Sequence, residues 1–195
     1  SSSGLAVGTD GPHIFTVPLG GYLHDGQSDV RSTYGGVLMG MQSTNRLDAG
    51  TLQSGGHVAV VKRKDVFQGQ ERSRLDAETL VAGAHLRYGP DAVSGLSLFG
   101  LAQMSVENAD LERSAAFGTW RDRAESDWTA WGGNFLFGAE QTFTVAPGFT
   151  LGPTASFDYA FTHRPDVTES SRNGAALHVD SETYQSLRSS LGVEG

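Results

Sequence analysis

The sequence predicts an all-β fold, a transmembrane antiparallel up-and-down β-barrel, from three observations. Apolar and polar residues alternate with period two in segments of about ten residues, repeated about eight times. The composition pairs a modest 38% of hydrophobic residues with 26 glycines, which favours bends and close backbone contact over helix. The connections sort into tight turns and long polar loops, as in a transmembrane barrel whose short turns are periplasmic.

The elements follow in order. His13–Leu23, Tyr34–Met41 and His57–Val61 are the first three candidate strands, each with a weak pattern. Leu80, Ala82, Ala84, Leu86 and Tyr88 alternate with Val81, Gly83, His85 and Arg87. Leu96, Leu98, Gly100, Ala102 and Met104 form the next apolar row. Trp131, Gly133, Phe135, Phe137, Ala139 and Phe143 share a face opposite Asn134, Gly138, Glu140 and Thr142. The clearest strand carries Phe149, Leu151, Pro153, Ala155, Phe157, Tyr159 and Phe161 on one face. It is longer than the five or six residues of an ordinary soluble strand. Tyr184–Val193 is the last candidate.

Gly89-Pro90-Asp91-Ala92 and Val145-Ala146-Pro147-Gly148 read as tight turns, with turn residues in place. Lys62–Glu78, Val106–Asp127 and Thr162–Thr183 read as long charged loops. Clusters within them, such as Lys62-Arg63-Lys64 and Arg121–Glu125, read first as solvated faces. The connection after Met41 is expected to span about ten residues, which breaks the rule of short turns at that end.

Composition excludes several classes. With no cysteine, neither a disulfide framework nor a thiolate metal site can form. A net charge of -8 argues against a nucleic-acid partner, since phosphate binding needs a basic face. Ten Phe, five Tyr and three Trp spread along the chain argue against disorder. The mean hydropathy of -0.27 fits a barrel, in which only alternate strand residues meet lipid. Ser1-Ser2-Ser3-Gly4 reads as a cut inside a longer protein, and residues 1–11 as a linker into a barrel spanning 12–195.

At Gly138-Ala139-Glu140-Gln141-Thr142-Phe143, then Leu151-Gly152-Pro153-Thr154-Ala155-Ser156-Phe157-Asp158-Tyr159, the chain resembles the autotransporter β-domain, the translocator of type V secretion. Tyr184-Gln185-Ser186-Leu187-Arg188-Ser189-Ser190-Leu191-Gly192 and the glycine-rich Tyr34–Gly40 strand extend the resemblance. It implies a barrel of about twelve strands, of which about eight are present, with the C-terminal strands cut away. It further implies a Gram-negative outer-membrane barrel that anchors and secretes an N-terminal passenger domain. The implied partners are outer-membrane lipid, the passenger and the barrel assembly machinery.

Candidate site residues come from the two strand faces. By alternation Glu140, Asp158 and Arg188 point into the lumen; family barrels use inward charged residues to line the passenger's path. Tyr88, Trp128, Trp131, Phe149, Tyr159 and Phe161 lie near strand ends and read as an interfacial aromatic girdle. None of the six histidines falls at helical i, i+4 spacing or beside a cysteine, so no metal site is expected. There is no G-x-S-x-G, P-loop or G-x-G-x-x-G motif, so no catalytic residue, cofactor or enzyme activity is expected. Two rivals stay open: a small outer-membrane adhesion or structural barrel whose loops bind a partner, and a soluble β-sandwich binding module.

Overall fold

In the computed structural model, residues 11–25, 29–68, 72–90, 95–117, 119–147, 149–174 and 176–194 are described. The expected linker at 1–11 lies outside them except for Gly11. Seven long strands follow in sequence: β1 (Gly11–Asp25), β2 (Val30–Leu47), β3 (Gly50–Gln68), β4 (Arg72–Gly89), β5 (Gly95–Phe117), β6 (Trp120–Ala146) and β7 (Phe149–Arg164). Three two-residue strands come next: β8 (Val167–Thr168), β9 (Ser170–Ser171) and β10 (His178–Val179). The last long strand is β11 (Glu182–Glu194). Each long strand pairs antiparallel with its sequence neighbour, in the order β1-β2-β3-β4-β5-β6-β7-β11. This is the expected up-and-down wall of eight long strands, with β1 and β11 at its two edges rather than closed on each other.

The register fixes which residues share a face. Leu38, Ala59, Val81, Ser105, Gly132 and Thr162 form one row of partners across six strands. That face carries mostly glycine, alanine and polar side chains, with Leu38, Val81, Phe99, Leu101 and Leu136 among them. The opposite face carries Val37, Met39, Val58, Val60, Leu80, Met104, Val106, Phe135, Phe137 and Phe157, all exposed. Burial is thus inverted relative to a soluble core. The buried apolar residues described are Ala59, Ala77, Ala109, Ala124, Ala130 and Val167, and no large side chain described is fully buried. Soluble monomers seldom expose an apolar patch beyond a few hundred Å²; here Phe137 is 60% and Leu80 55% exposed. This removes the soluble sandwich. Among the described residues no helix is long and apolar enough to cross a membrane.

Two expectations about the connections need correction. Lys62–Glu78 and Val106–Asp127 are ladder for most of their length, because β3 and β4 pair out to Gln68 with Arg72, and β5 and β6 out to Phe117 with Trp120. A tilted strand crosses the hydrocarbon in about 9–11 residues. β5 with 23 residues and β6 with 27 therefore stand well beyond it as a ribbon. There the outer face is polar and the inner face carries mostly small residues such as Ala109, Ala124 and Ala130, so the alternation lacks the large apolar rows of a lipid-facing strand. The connection after Met41 is also strand, turning at Asp48-Ala49 between Leu47 and Gly50. The short-turn rule then holds at that end without exception. The Thr162–Thr183 connection is ladder at its ends, where β7 and β11 pair out to Arg164 with Glu182, and between them the described residues form only the three short strands.

Small residues set how closely the inner rows pack. A Cβ on Gly36 would come within 2.2 Å of the Val60 carbonyl oxygen, which is backbone and cannot swing away. At Gly138 the Phe99 ring already occupies the space, with its nearest atom 2.2 Å from such a Cβ.

Gly36→Val is therefore expected to cost about 1–3 kcal/mol through overpacking. Gly100→Ala, whose Cβ would meet only an ordinary 3.6 Å contact, should be near neutral. The temperature at which the detergent-folded protein loses its compact gel mobility checks both, and equal values would refute the packing argument.

Candidate functional site

The inner face carries a set of paired polar groups. Arg87 on β4 reaches across β5 to Glu140 on β6, Nη2 to Oε2 3.6 Å. Asn134 Nδ2 donates to Asp158 Oδ1 at 2.9 Å. Farther out, Arg63 pairs with Asp65 at 3.3 Å and Glu107 at 3.5 Å, and Thr79 Oγ1 donates to Glu107 at 3.0 Å. His57 and His85 pack over each other's neighbouring glycines, Gly83 and Gly55, at the level of the ladder where those residues are partners. Each glycine opens the room that a ring fills.

The three expected lumen residues occupy one face of the sheet. Asp158 is the register partner of Arg188 on one side and of Leu136 on the other. Glu140 is the partner of Thr154, four positions along β7 from Asp158, or about 13 Å at strand rise. The structure therefore brings Asp158 and Arg188 together but leaves Glu140 to Arg87. The other inner charges, Arg63, Asp65 and Glu107, lie past Val61 and Met104, where the apolar alternation that marks these strands in the sequence stops. Carrying the odd-numbered alternation onward from Ala59 and Val61 reaches Arg63 and Asp65 on the same face.

The outer aromatics gather toward the ribbon end. Trp131 and Phe161 meet edge-to-face with centroids 5.4 Å apart, and Tyr159 stacks near Phe161 and Phe135 at 6.0 and 6.5 Å. Phe149 begins β7 at the turn end, and the Tyr88 hydroxyl donates to the Ala49 carbonyl there at 3.1 Å. Trp128 differs. Its partner is Ala109, on the inner face, and even-numbered β6 residues from Asp122 to Gly132 point that way.

Beyond the band, the segment after β7 folds down onto the β5–β6 ribbon. Glu169 is buried and takes both Nε and Nη2 of Arg113, at 3.1 and 2.6 Å. It also accepts the Leu177 amide at 3.0 Å, while its own amide donates to the Leu177 carbonyl at 2.9 Å. Asp122 accepts the Asn173 amide, and β9 pairs with Ala124 and Glu125 of β6. The Arg113 hydrogen bonds hold the Glu169 carboxyl below its usual range, outweighing the burial that opposes ionisation. In the same loop Asp166, His178 and Asp180, all exposed, bring one donor atom each within 4.8 Å of the others. His178 is already engaged there, with Thr168 at 2.9 Å and Asp180 at 3.2 Å. Sequence spacing gave no sign of either cluster, since both join residues through the fold.

The family model of the autotransporter beta-domain matches residues 14–195. The translocator domain of the autotransporter NalP from Neisseria meningitidis superposes with a TM-score of 0.69 at 13% identity, over 97% of this chain and 63% of that one. The transport unit of the autotransporter AIDA-I from Escherichia coli gives 0.54 at 12% identity, over 99% and 75%. These likenesses concern the fold. This chain spans somewhat under two thirds of the NalP domain. No curated protein matches the sequence.

The Glu169 contact sets a pH window. A carboxyl whose folded pKa is depressed contributes its full stabilisation above its usual value of 4.5, and loses it as pH falls through the depressed value. Glu169→Gln should cost the loop about 2 kcal/mol at neutral pH. That corresponds to about 30-fold faster amide exchange at Leu177 and Glu169. The gap between variant and parent should close in acid; a gap that persists unchanged at pH 2–3 would sink the assignment.

Proposed function

Because the chain belongs to the autotransporter β-domain family, we propose that this outer-membrane wall is the translocator of a longer protein, anchoring and exporting an N-terminal passenger domain. The family and its Gram-negative outer-membrane setting are the premise, and the observation that carries the reading is the inverted burial of the sheet. One face is apolar and exposed over eight strands, while the other is rich in glycine, alanine and internally paired polar groups. Apolar surface of that extent needs lipid. A polar inner wall needs water or a polar chain passing through it.

Residues 12–195 form the barrel part in this reading, and residues 1–11 lead into it. Glu140, Asp158 and Arg188 line the passage with Arg63, Asp65, Arg87 and Glu107. Tyr88, Trp131, Phe149, Tyr159 and Phe161 sit at the two interfaces, where an amphipathic ring is at home. Trp128 serves the inner face instead. The wall acts as conduit and anchor rather than as a catalyst, and its partners are the passenger, outer-membrane lipid and the barrel assembly machinery. The twelve-strand closure implied by the resemblance belongs to the same proposal. The ordered loop pinned through Glu169 also suits a surface adhesin, which remains the second reading.

Deleting residues 11–194 from the encoding gene is expected to abolish the appearance of the upstream domain on intact cells, by surface labelling. Retained surface display after deletion would overturn the translocator reading. Loss of host or matrix binding with the passenger still displayed, on replacing the 165–181 loop alone, would instead favour the adhesin.

A further inference from the structure

Just above the apolar band, the outer face changes chemistry abruptly at one corner. On β2 the outward series runs Met41, Met39, Val37, then Gly35, Thr33 and Arg31; on β3 it runs Val58, Val60, then Lys62 and Lys64. Val37 is the partner of Val60, Gly35 of Lys62 and Thr33 of Lys64. The apolar rows thus stop on both strands at the same rung, and a cation stands on the next one. Two residues along a strand is about 6.7 Å, so the ammonium of Lys62 lies at headgroup depth. On β1 the same rungs place Tyr22 beside Thr33 and His24 beside Arg31. None of the outward residues from Ile14 to His24, Arg31 to Met41 or Val58 to Val66 is a carboxylate.

Acid begins only one strand farther on. Glu78 faces Lys62, with their side chains 3.2 Å apart, and Lys64, Asp76, Asp110 and Asp127 share one rung. Lys62 is thus paired on its β4 side, while on its β2 side it meets only Gly35, so an anion is drawn to the β1–β3 corner. A recess is present as well. Gly20 and Gly35 carry no side chain beside Lys62, and an open depression of about 630 Å³ has Thr33, Gly35, Lys62 and Lys64 on its β2–β3 side and Asp76, Glu78 and Asp110 on the other. The ribbon end of the sheet, opposite the turns at Asp48-Ala49 and Pro147, is the extracellular end by the short-turn rule. The lipid there is the outer leaflet.

We propose that Arg31, Lys62 and Lys64 form a binding site for the phosphate groups of a phosphorylated glycolipid of the outer leaflet, with Thr33 as a hydrogen-bond donor and the acyl chains on Val37, Met39, Val58 and Val60. The chemistry is matched on both parts of such a lipid. Phosphate takes charge-assisted hydrogen bonds from Lys and Arg, and the apolar rows continue directly below the cations. The site rests on the membrane placement proposed above, but not on passenger export.

The test uses the full-length protein folded in zwitterionic detergent micelles, with lipid adducts measured by native mass spectrometry. Bisphosphorylated lipid A, its dephosphorylated form and phosphatidylglycerol are the three probes. Bisphosphorylated lipid A is expected to bind tightest, and R31Q/K62Q/K64Q to weaken it on the order of 30-fold, since each basic group near an anionic surface contributes measurably. The charge-preserving R31K/K62R/K64R should retain binding, and both variants should keep heat-modifiable gel mobility and export their passenger. Equal binding by the glutamine variant, or by dephosphorylated lipid A, would overturn the site. Phosphatidylglycerol binding as tightly would overturn the glycolipid assignment. Loss of folding into micelles altogether by the parent protein would strike the membrane reading instead.

Discussion

Hydrocarbon offers no hydrogen-bond partner to a backbone amide, and the whole structure follows from that constraint. Each N–H and C=O along a crossing strand must pair with a neighbouring strand. The chain answers with an antiparallel ladder that runs in register from one strand to the next, and its recorded register shift falls at Thr144/Ala146, beside the β6–β7 turn. Because side chains alternate strictly, a slip of one residue would turn every apolar group inward. The unbroken register is therefore what separates the faces. Val60, Leu80, Val106 and Trp131 stay outside together on one rung, while Ala59, Val81, Ser105 and Gly132 stay inside on the next.

This also explains how far the fold could be read from sequence. Where one face meets lipid, selection for apolar side chains writes the period into the residues, as in Phe149–Phe161 and Trp131–Phe143. There the strands and their faces were legible. Beyond the bilayer the same ladder continues with water on its surface, so Lys62–Gln68 and Glu107–Phe117 show no apolar rows and read as loops. The turn at Asp48-Ala49 was hidden for the same reason, since Gln42–Arg46 and Gln53–Gly56 are polar or small. Near a strand end, proximity to an interface is weaker information than parity. Trp128 and Trp131 are three apart, so they must lie on opposite faces, and only Trp131 joins the outer aromatics.

Of the candidate site, the direction of Glu140, Asp158 and Arg188 was accessible from alternation, but their partners were not. Partner choice depends on stagger between strands. Two carboxylates that sequence places on neighbouring strands prove to be four rungs apart, and Glu140 finds its cation two strands away on Arg87. Arg113 and Glu169 lie on a ribbon and a loop that meet only after both have folded, and no local pattern announces such a pair.

The two faces manage charge differently, and the difference is physical. Inside, Arg63 sits between Asp65 and Glu107, and Arg87 answers Glu140. Unpaired charge there would be poorly hydrated against a low-dielectric wall and would hold any oppositely charged chain too tightly to release it. Pairing leaves a surface that stays wet yet binds weakly. Outside, above the band, charge is partly sorted: β2 and β3 carry cations without a carboxylate, while the carboxylates of β4 to β6 pair with Lys62, Arg74 and Arg123. Sorting costs repulsion among Asp76, Asp110 and Asp127, which are neighbours on one rung. A cost of that kind is tolerable where charged headgroups and their counterions lie alongside, and the same sorting would have no such counterweight in the lumen.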